Sequence, residues 1–142
     1  VAEGPEIRLG ESWHHGSVVL SWDDVRRSAA DIHDGHNVVL HEFAHQIDSS
    51  FAKGDSTLVL ESTSTFIAWA RILQKEYQKL RREVSRDSGT ILDKYGAVNP
   101  AEFFAVATEY FFEKPKQLQR LHSDLYEELK RFYQQDPAQW EQ

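Results

Sequence analysis

Apolar residues recur along the chain at the three- and four-residue spacing of amphipathic helices, and this pattern predicts a mainly helical fold. The first predicted helix covers Trp22–Ala30, where Ser21 followed by Asp24 resembles a capping box. The second predicted helix is capped by Asn37 and runs to about Ser50. Because apolar residues surround most of its circumference, we expect this second helix to be largely buried.

Three more helices are expected in the rest of the chain. A long helix over Glu61–Arg86 presents its apolar residues on one face and ends in a charged, solvated tail. The asparagine–proline pair that starts at Asn99 is a strong helix start, because asparagine is a favourable N-cap and proline fits the first helical position. That helix runs to about Phe112. The last helix covers Pro115–Gln134 and is stopped by Pro137.

The pattern predicts little β structure. One candidate strand is Ile7–Leu9, and a second is Ser17–Leu20, for which buried coil is the alternative. Ser49–Ser56 is expected to be a polar loop. The fold class that follows is mainly α (α+β) with a small β element. Residues 1–142 have the length of one domain and contain no repeat or linker, so we expect a single domain.

Composition narrows the classes of function. The chain is 40% apolar, which is typical of a folded domain, and its net charge is −7. An acidic domain is poorly suited to nucleic-acid phosphates, and no apolar run is long enough to span a bilayer. The absence of cysteine excludes disulfides, thiolate metal sites and cysteine nucleophiles. The sequence starts at Val1 without methionine, so we expect a processed chain or a piece of a longer one.

The second predicted helix carries a His-Glu-x-x-His motif, made by His41, Glu42 and His45. Two histidines four residues apart lie on one helix face, so both imidazoles can reach one tetrahedral zinc ion. Glu42 is then placed to take a proton from a zinc-activated water and pass it to the leaving amine. An incidental motif on a surface helix is the alternative. The apolar surroundings argue against it, because unpaired buried polar groups are costly.

A catalytic zinc ion usually has three protein ligands and one water, so the motif needs a third ligand. No histidine follows within residues 46–52, which favours a carboxylate on a later helix. Glu61, Glu102 and Glu109 are all candidates on this reasoning. Glu102 also occupies the third position of its predicted helix, where a capping role is an equal alternative.

Three stretches of the sequence resemble a known family. VVLHEFAHQID at Val38–Asp48, DKYGAVNPAEFF at Asp93–Phe104 and GESWHHGSVVLSWDDV at Gly10–Val25 are similar to the Mlc titration factor A family of bacterial zinc peptidases. The first two stretches also resemble the catalytic domain of anthrax lethal factor. Members of the family are longer at the N-terminus. The resemblance therefore implies that this chain is the zincin-like catalytic core of a longer protein.

Carried across position by position, the resemblance implies that Glu102 is the third zinc ligand and that Tyr95 stabilises the oxyanion. With His41 and His45, Glu102 would complete the ligand set of a gluzincin-type site. Asp48 and Glu109 are candidates to accept a hydrogen bond from the ring nitrogen of a zinc-bound histidine that does not bind the metal. A surface salt bridge is the alternative for each. Val106 stands where some gluzincins have an acidic residue, four positions after the glutamate ligand.

The activity implied by the resemblance is that of a cytoplasmic zinc metallopeptidase, an aminopeptidase or an endopeptidase, acting on a peptide or protein substrate. Its cofactor would be Zn2+, and its protein partner the glucose-responsive transcriptional repressor Mlc. A second interpretation is a regulatory binding module that sequesters a repressor and has weak or regulated peptidase activity. The intact motif with Glu102 and Tyr95 favours the enzyme, because a pure binder has no need of the base Glu42.

The remaining histidines are expected to have ordinary surroundings. Four of them are interpreted as loop histidines in water, with a position at the cleft as the alternative: His14, His15, His33 and His36. His122, in the last predicted helix, is expected to be structural or exposed. The aromatic residues of the helix that follows Asn99 are expected to form core.

Overall fold

The structure is a computed structural model that describes residues 10–12, 18–52 and 63–140. Most of the described residues are helical, which confirms the expected mainly helical fold with a small β element. The elements are β1 (Gly10–Ser12), β2 (Val18–Leu20), α1 (Trp22–Ala30), α2 (Val38–Ala52), α3 (Thr63–Ser85), α4 (Pro100–Glu113), α5 (Pro115–Leu121) and α6 (Ser123–Tyr133). Two short 3-10 segments, Lys94–Ala97 and Pro137–Gln139, complete the described secondary structure.

The two strands form an antiparallel pair in which Glu11 lies opposite Val19. Both strands contact α2, the helix that carries the His-Glu-x-x-His motif. The expected strand near Ser17–Leu20 is confirmed over Val18–Leu20. The other candidate strand, Ile7–Leu9, lies outside the described residues.

Helix α4 lies at the centre of the core. Every residue from Phe103 to Phe111 is buried, and helices α2, α3, α5 and α6 all contact this helix. A helix that is apolar on all sides needs such neighbours to remove it from water. Aromatic rings fill much of the surrounding space; for example, Trp69 stacks on Phe132 at a centroid distance of 4.6 Å, and Phe104 meets Phe132 edge-on. The aromatic core expected in this region is confirmed.

Helix α3 is the longest described element. Its buried residues Trp69, Tyr77 and Leu80 face the core, while its charged C-terminal part is largely solvated, as its sequence pattern predicts. It ends at Ser85, and Asp87 then takes a left-handed conformation with φ 53°. None of the helices within the described ranges is long and apolar enough to cross a membrane.

The predicted helix Trp22–Ala30 is confirmed with the same bounds, and side-chain capping is observed at two of the three expected cap residues. Asn37 accepts a hydrogen bond from the backbone N–H of Leu40, and Asn99 caps α4 in the same way. The capping box expected at Ser21 is wrong, because its side chain makes no capping hydrogen bond. Helix α2 also continues to Ala52, past its expected end, since no glycine or proline interrupts the chain before residue 54.

The expected single helix over Pro115–Gln134 is wrong, because the chain breaks at His122 into α5 and α6. His122 has φ −139° and ψ 59°, which lies outside the helical region. Its buried imidazole Nδ1 lies 2.8 Å from Glu76 Oε2 on α3. This inward polar contact accompanies the break, and the helical spacing of the flanking leucines gives no sign of it.

Candidate metal centre

Helices α2 and α4 pack together and bring three side chains with metal-ligating atoms to one point. His41 and His45 lie one turn apart on α2, with ring centroids 4.8 Å apart. Glu102, in the first turn of α4, reaches both rings: its Oε2 lies 2.8 Å from His41 Nε2, and its Oε1 lies 3.1 Å from His45 Nε2. All three side chains are partly accessible to solvent.

The chemistry of this group fits a catalytic metal ion. One ligand atom from each of His41, His45 and Glu102 lies within 4.8 Å of the other two. Among the described residues, this is the one group of three or more His, Asp or Glu side chains close enough to share an ion. Two imidazole nitrogens and a carboxylate are a ligand set that holds zinc and leaves a coordination position open.

Glu109 lies on the other side of the His41 ring. Its Oε2 is 3.0 Å from His41 Nδ1, and its Oε1 accepts a hydrogen bond of 2.8 Å from the backbone N–H of Asn37. This contact agrees with the expected outer-side role of Glu109, because a carboxylate at one ring nitrogen fixes the orientation of the other. Glu109 does not belong to the group of three ligating side chains.

The charges of the two carboxylates change the protonation of His41. Burial lowers the pKa of this imidazole, but hydrogen bonds to Glu102 and Glu109 outweigh burial and raise the pKa to about 10. Burial raises the pKa of Glu102, whereas hydrogen bonds from His41 and His45 lower it to a net value of about 2. Glu102 is therefore a carboxylate throughout the physiological pH range.

Glu42, the second residue of the motif, is buried, with 8% of its surface exposed. Burial raises the pKa of its carboxyl above the ordinary value, while the nearby His41 and His45 act in the opposite direction. Asp48 is half-buried further along α2, and burial raises its pKa as well. The charge of His45 acts on the pKa of Asp48 in the opposite direction.

Tyr95 lies on the 3-10 segment Lys94–Ala97, which precedes α4. Its ring centroid is 6.0 Å from that of His41, and 51% of its surface is exposed. Asp93 fixes the start of this segment, because its side chain accepts a 2.8 Å hydrogen bond from the Tyr95 backbone N–H. The phenol is therefore held beside the ligand group and remains accessible from solvent.

The other residues singled out from the sequence are distributed around the molecule. His33 and His36 are exposed, as expected for loop histidines, and His36 Nδ1 lies 3.7 Å from Asp93 Oδ2. His122 is buried against Glu76, so its structural interpretation is confirmed. Three further candidates lie outside the described residues: His14, His15 and Glu61.

Sequence reasoning missed Glu113, which is only 4% exposed and accepts hydrogen bonds from the turn before α2. Its position four residues after Glu109, on an otherwise apolar helix, is the signal that could have identified it. The sequence also assigned Asn37 a capping role alone. The structure adds a second role, since both its backbone and its side chain donate to carboxylates of α4.

Comparison with known families agrees with this arrangement of histidines and glutamate. Residues 1–134 match the family described as Glucose-regulated metallo-peptidase M90, and the chain therefore belongs to this metallopeptidase family. The resemblance to the Mlc titration factor A family is likewise confirmed by individual relatives.

Two of these relatives are named Mlc titration factor A, from Serratia proteamaculans and Yersinia pestis. Each is 34% identical to this chain over 139 residues, which are 96% of the chain and 52% and 51% of the respective relatives. An uncharacterized protein of Synechocystis sp. is 40% identical over 138 residues, which are 96% of the chain and 50% of that protein. The chain thus spans about half the length of the curated relatives it matches.

Proposed function

We propose that this chain is the zincin-like catalytic core of a longer, cytoplasmic zinc peptidase with a gluzincin ligand set. The observation that carries the proposal is the convergence of His41, His45 and Glu102 from two packed helices. Membership of a metallopeptidase family supports it. The substrate class is a peptide or protein, cleaved by an aminopeptidase or an endopeptidase activity.

His41, His45 and Glu102 would hold the metal through two imidazole nitrogens and one carboxylate. When bound, a zinc ion supplies Lewis acidity that makes water acidic enough to attack near neutral pH. The position of the Glu102 carboxylate between the two imidazoles and the outer contact of Glu109 with His41 support a bound cation at this point.

Glu42 is the group we assign to proton transfer. It lies beside His41 on the same helix, and its burial means that little bulk water competes for its carboxylate. In the proposed reaction it accepts a proton from the attacking water and then donates it to the nitrogen of the leaving amine. A positioned carboxylate of this kind typically contributes about 10²- to 10⁴-fold to the rate.

Tyr95 is the group we assign to the developing oxyanion. Its accessible position beside His41 supports this role. A phenol hydroxyl that donates to the carbonyl oxygen as negative charge develops stabilises the transition state more than the bound substrate. We therefore assign Tyr95 to the rate of the reaction and not to metal binding.

The test is hydrolysis of a mixed fluorogenic peptide library by the purified, zinc-loaded protein, run beside Glu42→Gln. The expected result is cleavage by the parent and its loss in the variant, with about one zinc bound per chain in both. Glu127→Gln replaces an exposed glutamate 4.0 Å from Lys130 and is the matched control. It should cleave as the parent does.

Failure of the folded, zinc-loaded parent to cleave any library peptide would contradict the peptidase activity. Equal cleavage by the parent and Glu42→Gln would contradict the role of the base. Failure to bind zinc would contradict the metal site itself, whatever the activity.

A regulatory binding module is the second candidate, and the names of the Serratia and Yersinia relatives favour it. In that case the protein would bind the repressor Mlc directly, and its peptidase activity would be weak or regulated. Binding of purified Mlc that persists in Glu42→Gln, without cleavage of peptides by the parent, would favour this function. Absence of binding at micromolar concentrations would exclude it.

A further inference from the structure

The turn between α1 and α2 holds two buried carboxylates of α4. The backbone N–H of Gly35 donates to Glu113 Oε1 at 3.2 Å, and the side-chain amide of Asn37 donates to Glu113 Oε2 at 2.8 Å. The backbone N–H of Asn37 donates to Glu109 Oε1 at 2.8 Å. His41 Nδ1 lies 3.0 Å from Oε2 of Glu109, so all four oxygens of the two carboxyl groups have hydrogen-bond partners.

These contacts place Asn37 between the start of α2 and the outer side of the metal centre. Its Oδ1 accepts a 3.1 Å hydrogen bond from the backbone N–H of Leu40 and so caps α2. Its backbone N–H donates to Glu109, and its side-chain amide donates to Glu113. A buried carboxylate is stable only when donors satisfy it, and its position follows those donors.

We propose that Asn37 is a positioning residue for the metal centre, acting through Glu109; this inference rests on the proposed function. The bond from Asn37 to Glu113 fixes the backbone at residue 37, and the N–H of that residue fixes Glu109. Glu109 in turn holds His41 Nδ1, so that Nε2 points at Glu102. Asn37 therefore acts on the three candidate ligands through Glu109 and His41.

The packing of the turn supports a fixed position for Asn37. Gly35 has φ 82°, and a Cβ atom at this residue would lie 2.9 Å from Cζ of Tyr110 on α4. The turn therefore lies directly on the Tyr110 ring, at a distance that only glycine allows. Its N–H groups are held at hydrogen-bonding distance from α4 by this close contact.

Asn37→Ser is the variant that separates positioning from helix capping. Serine is nearly as good an N-cap as asparagine, but it cannot supply the amide donor to Glu113. Ser28→Ala is the matched control, because the Ser28 hydroxyl accepts from the Val38 backbone N–H at 3.1 Å, at the same end of α2. The control weakens the start of the helix and leaves the partners of Glu109 in place.

The measurements are the zinc dissociation constant, by competition with a chelator, and the ¹⁵N chemical shifts of the His41 ring in the zinc-loaded protein. Loss of an outer partner of a zinc-bound histidine typically weakens metal binding about 10- to 100-fold. We expect Asn37→Ser to weaken zinc binding about tenfold and to shift the His41 Nδ1 signal. Ser28→Ala should change zinc binding by less than about twofold, within the scatter of a remote change.

The double variant Asn37→Ser/Glu109→Gln tests the route of the effect. If Asn37 acts through Glu109, the serine should add little to the loss already caused by Glu109→Gln, since contacting residues are not additive. Glu113→Ala removes both acceptor oxygens of the turn from the α4 side. This variant should reproduce the effect of Asn37→Ser, and it replaces Asn37→Ser in the test if that variant does not fold.

Several results would overturn the inference. One is a zinc dissociation constant in Asn37→Ser equal to that of Ser28→Ala, and another is a full, additive loss in the double variant. Both leave zinc binding by the parent intact, so the proposed metal site would survive them. A parent that binds no zinc would instead overturn the proposed site and this inference together.

Discussion

The backbone N–H of Glu102 donates to the side chain of Asn99 at 2.8 Å, while the Glu102 carboxylate faces away from its own helix start. In a full capping box the glutamate would return to the backbone of the cap residue. Here the carboxylate meets His41 and His45 on the neighbouring helix instead. Asn99 alone caps α4, and the carboxylate of Glu102 in the first turn lies in the candidate metal centre.

Replacement of Glu102 by alanine should weaken zinc binding on the order of a hundredfold or more, because one of three protein ligands is lost. The check is a chelator-competition titration of the purified variant beside the parent. Asp124→Asn removes a carboxylate that is 61% exposed and 3.7 Å from Lys75, and it should bind zinc as the parent does. Unchanged affinity in Glu102→Ala would rule out its role as a ligand.

Tyr95→Phe should reduce kcat on library peptides by about 10²-fold, in line with the loss of one oxyanion donor, while the zinc dissociation constant stays the same. KM should change little, because the hydroxyl contributes mainly in the transition state. Tyr133→Phe is the matched control, since that hydroxyl bonds to Thr108 in the core at 2.8 Å. A change confined to KM would instead indicate a role in substrate binding.

Gly35→Ala should destabilise the protein by more than about 1 kcal/mol, because a left-handed conformation is costly for any residue with a Cβ. The clash with the Tyr110 ring adds to this cost. Thermal unfolding of the metal-free protein measures the change, which corresponds to a few degrees in Tm. Gly89→Ala is the control, since a Cβ there would meet nothing within 4 Å. Equal Tm values for both variants would contradict the close packing of this turn.

The Glu76→Gln variant should show an unfolding free energy that depends less on pH in the acid range than that of the parent. The pKa of Glu76 is lowered in the folded state because, although burial raises it, the hydrogen bond to His122 and nearby lysines outweigh burial. A lowered pKa contributes stability above the ordinary value of 4.5, and this contribution is lost as the pH falls towards the folded-state pKa. The parent should therefore lose more unfolding free energy than the variant as the pH falls below 4.5.

Urea unfolding of the metal-free protein at several pH values between neutrality and acid measures this difference. Chelator must be present, because metal binding has its own pH dependence. The control variant Glu127→Gln, which replaces an exposed carboxylate, should show the same dependence of unfolding free energy on pH as the parent. Parallel profiles for the parent and Glu76→Gln would show that the buried pair does not contribute.

Much of the fold could be predicted because local signals and packing agree. The asparagine–proline start of α4 and its run of apolar residues indicate a buried helix, and both are observed. The break at His122 could not be predicted, because the contact that accompanies it is with Glu76, 46 residues away in the sequence. Pairing of this kind depends on tertiary structure and leaves no periodic pattern.

The candidate site, too, could be predicted from the sequence only in part. His41 and His45 are recognisable because both lie on one helix at a fixed spacing. Spacing alone left Glu61, Glu102 and Glu109 as equal candidates, and the resemblance to a family favoured Glu102. The structure brings Glu102 to the two histidines and Glu109 to the outer side of one ring. The hydrogen bonds that Gly35 and Asn37 donate to Glu113 and Glu109 depend on the path of the backbone, which the residue types alone do not reveal.

His41 and Glu102 are 61 residues apart in the sequence, yet their side chains lie 2.8 Å apart in the candidate metal centre. A zinc ion held by both would cross-link α2 to α4 in a chain that contains no cysteine. A ligand that binds only the folded state adds about 4 kcal/mol of stability at a thousand times its dissociation constant. The resistance of the chain to proteolysis would then depend on the supply of zinc, so that the chain would be degraded faster where zinc is scarce.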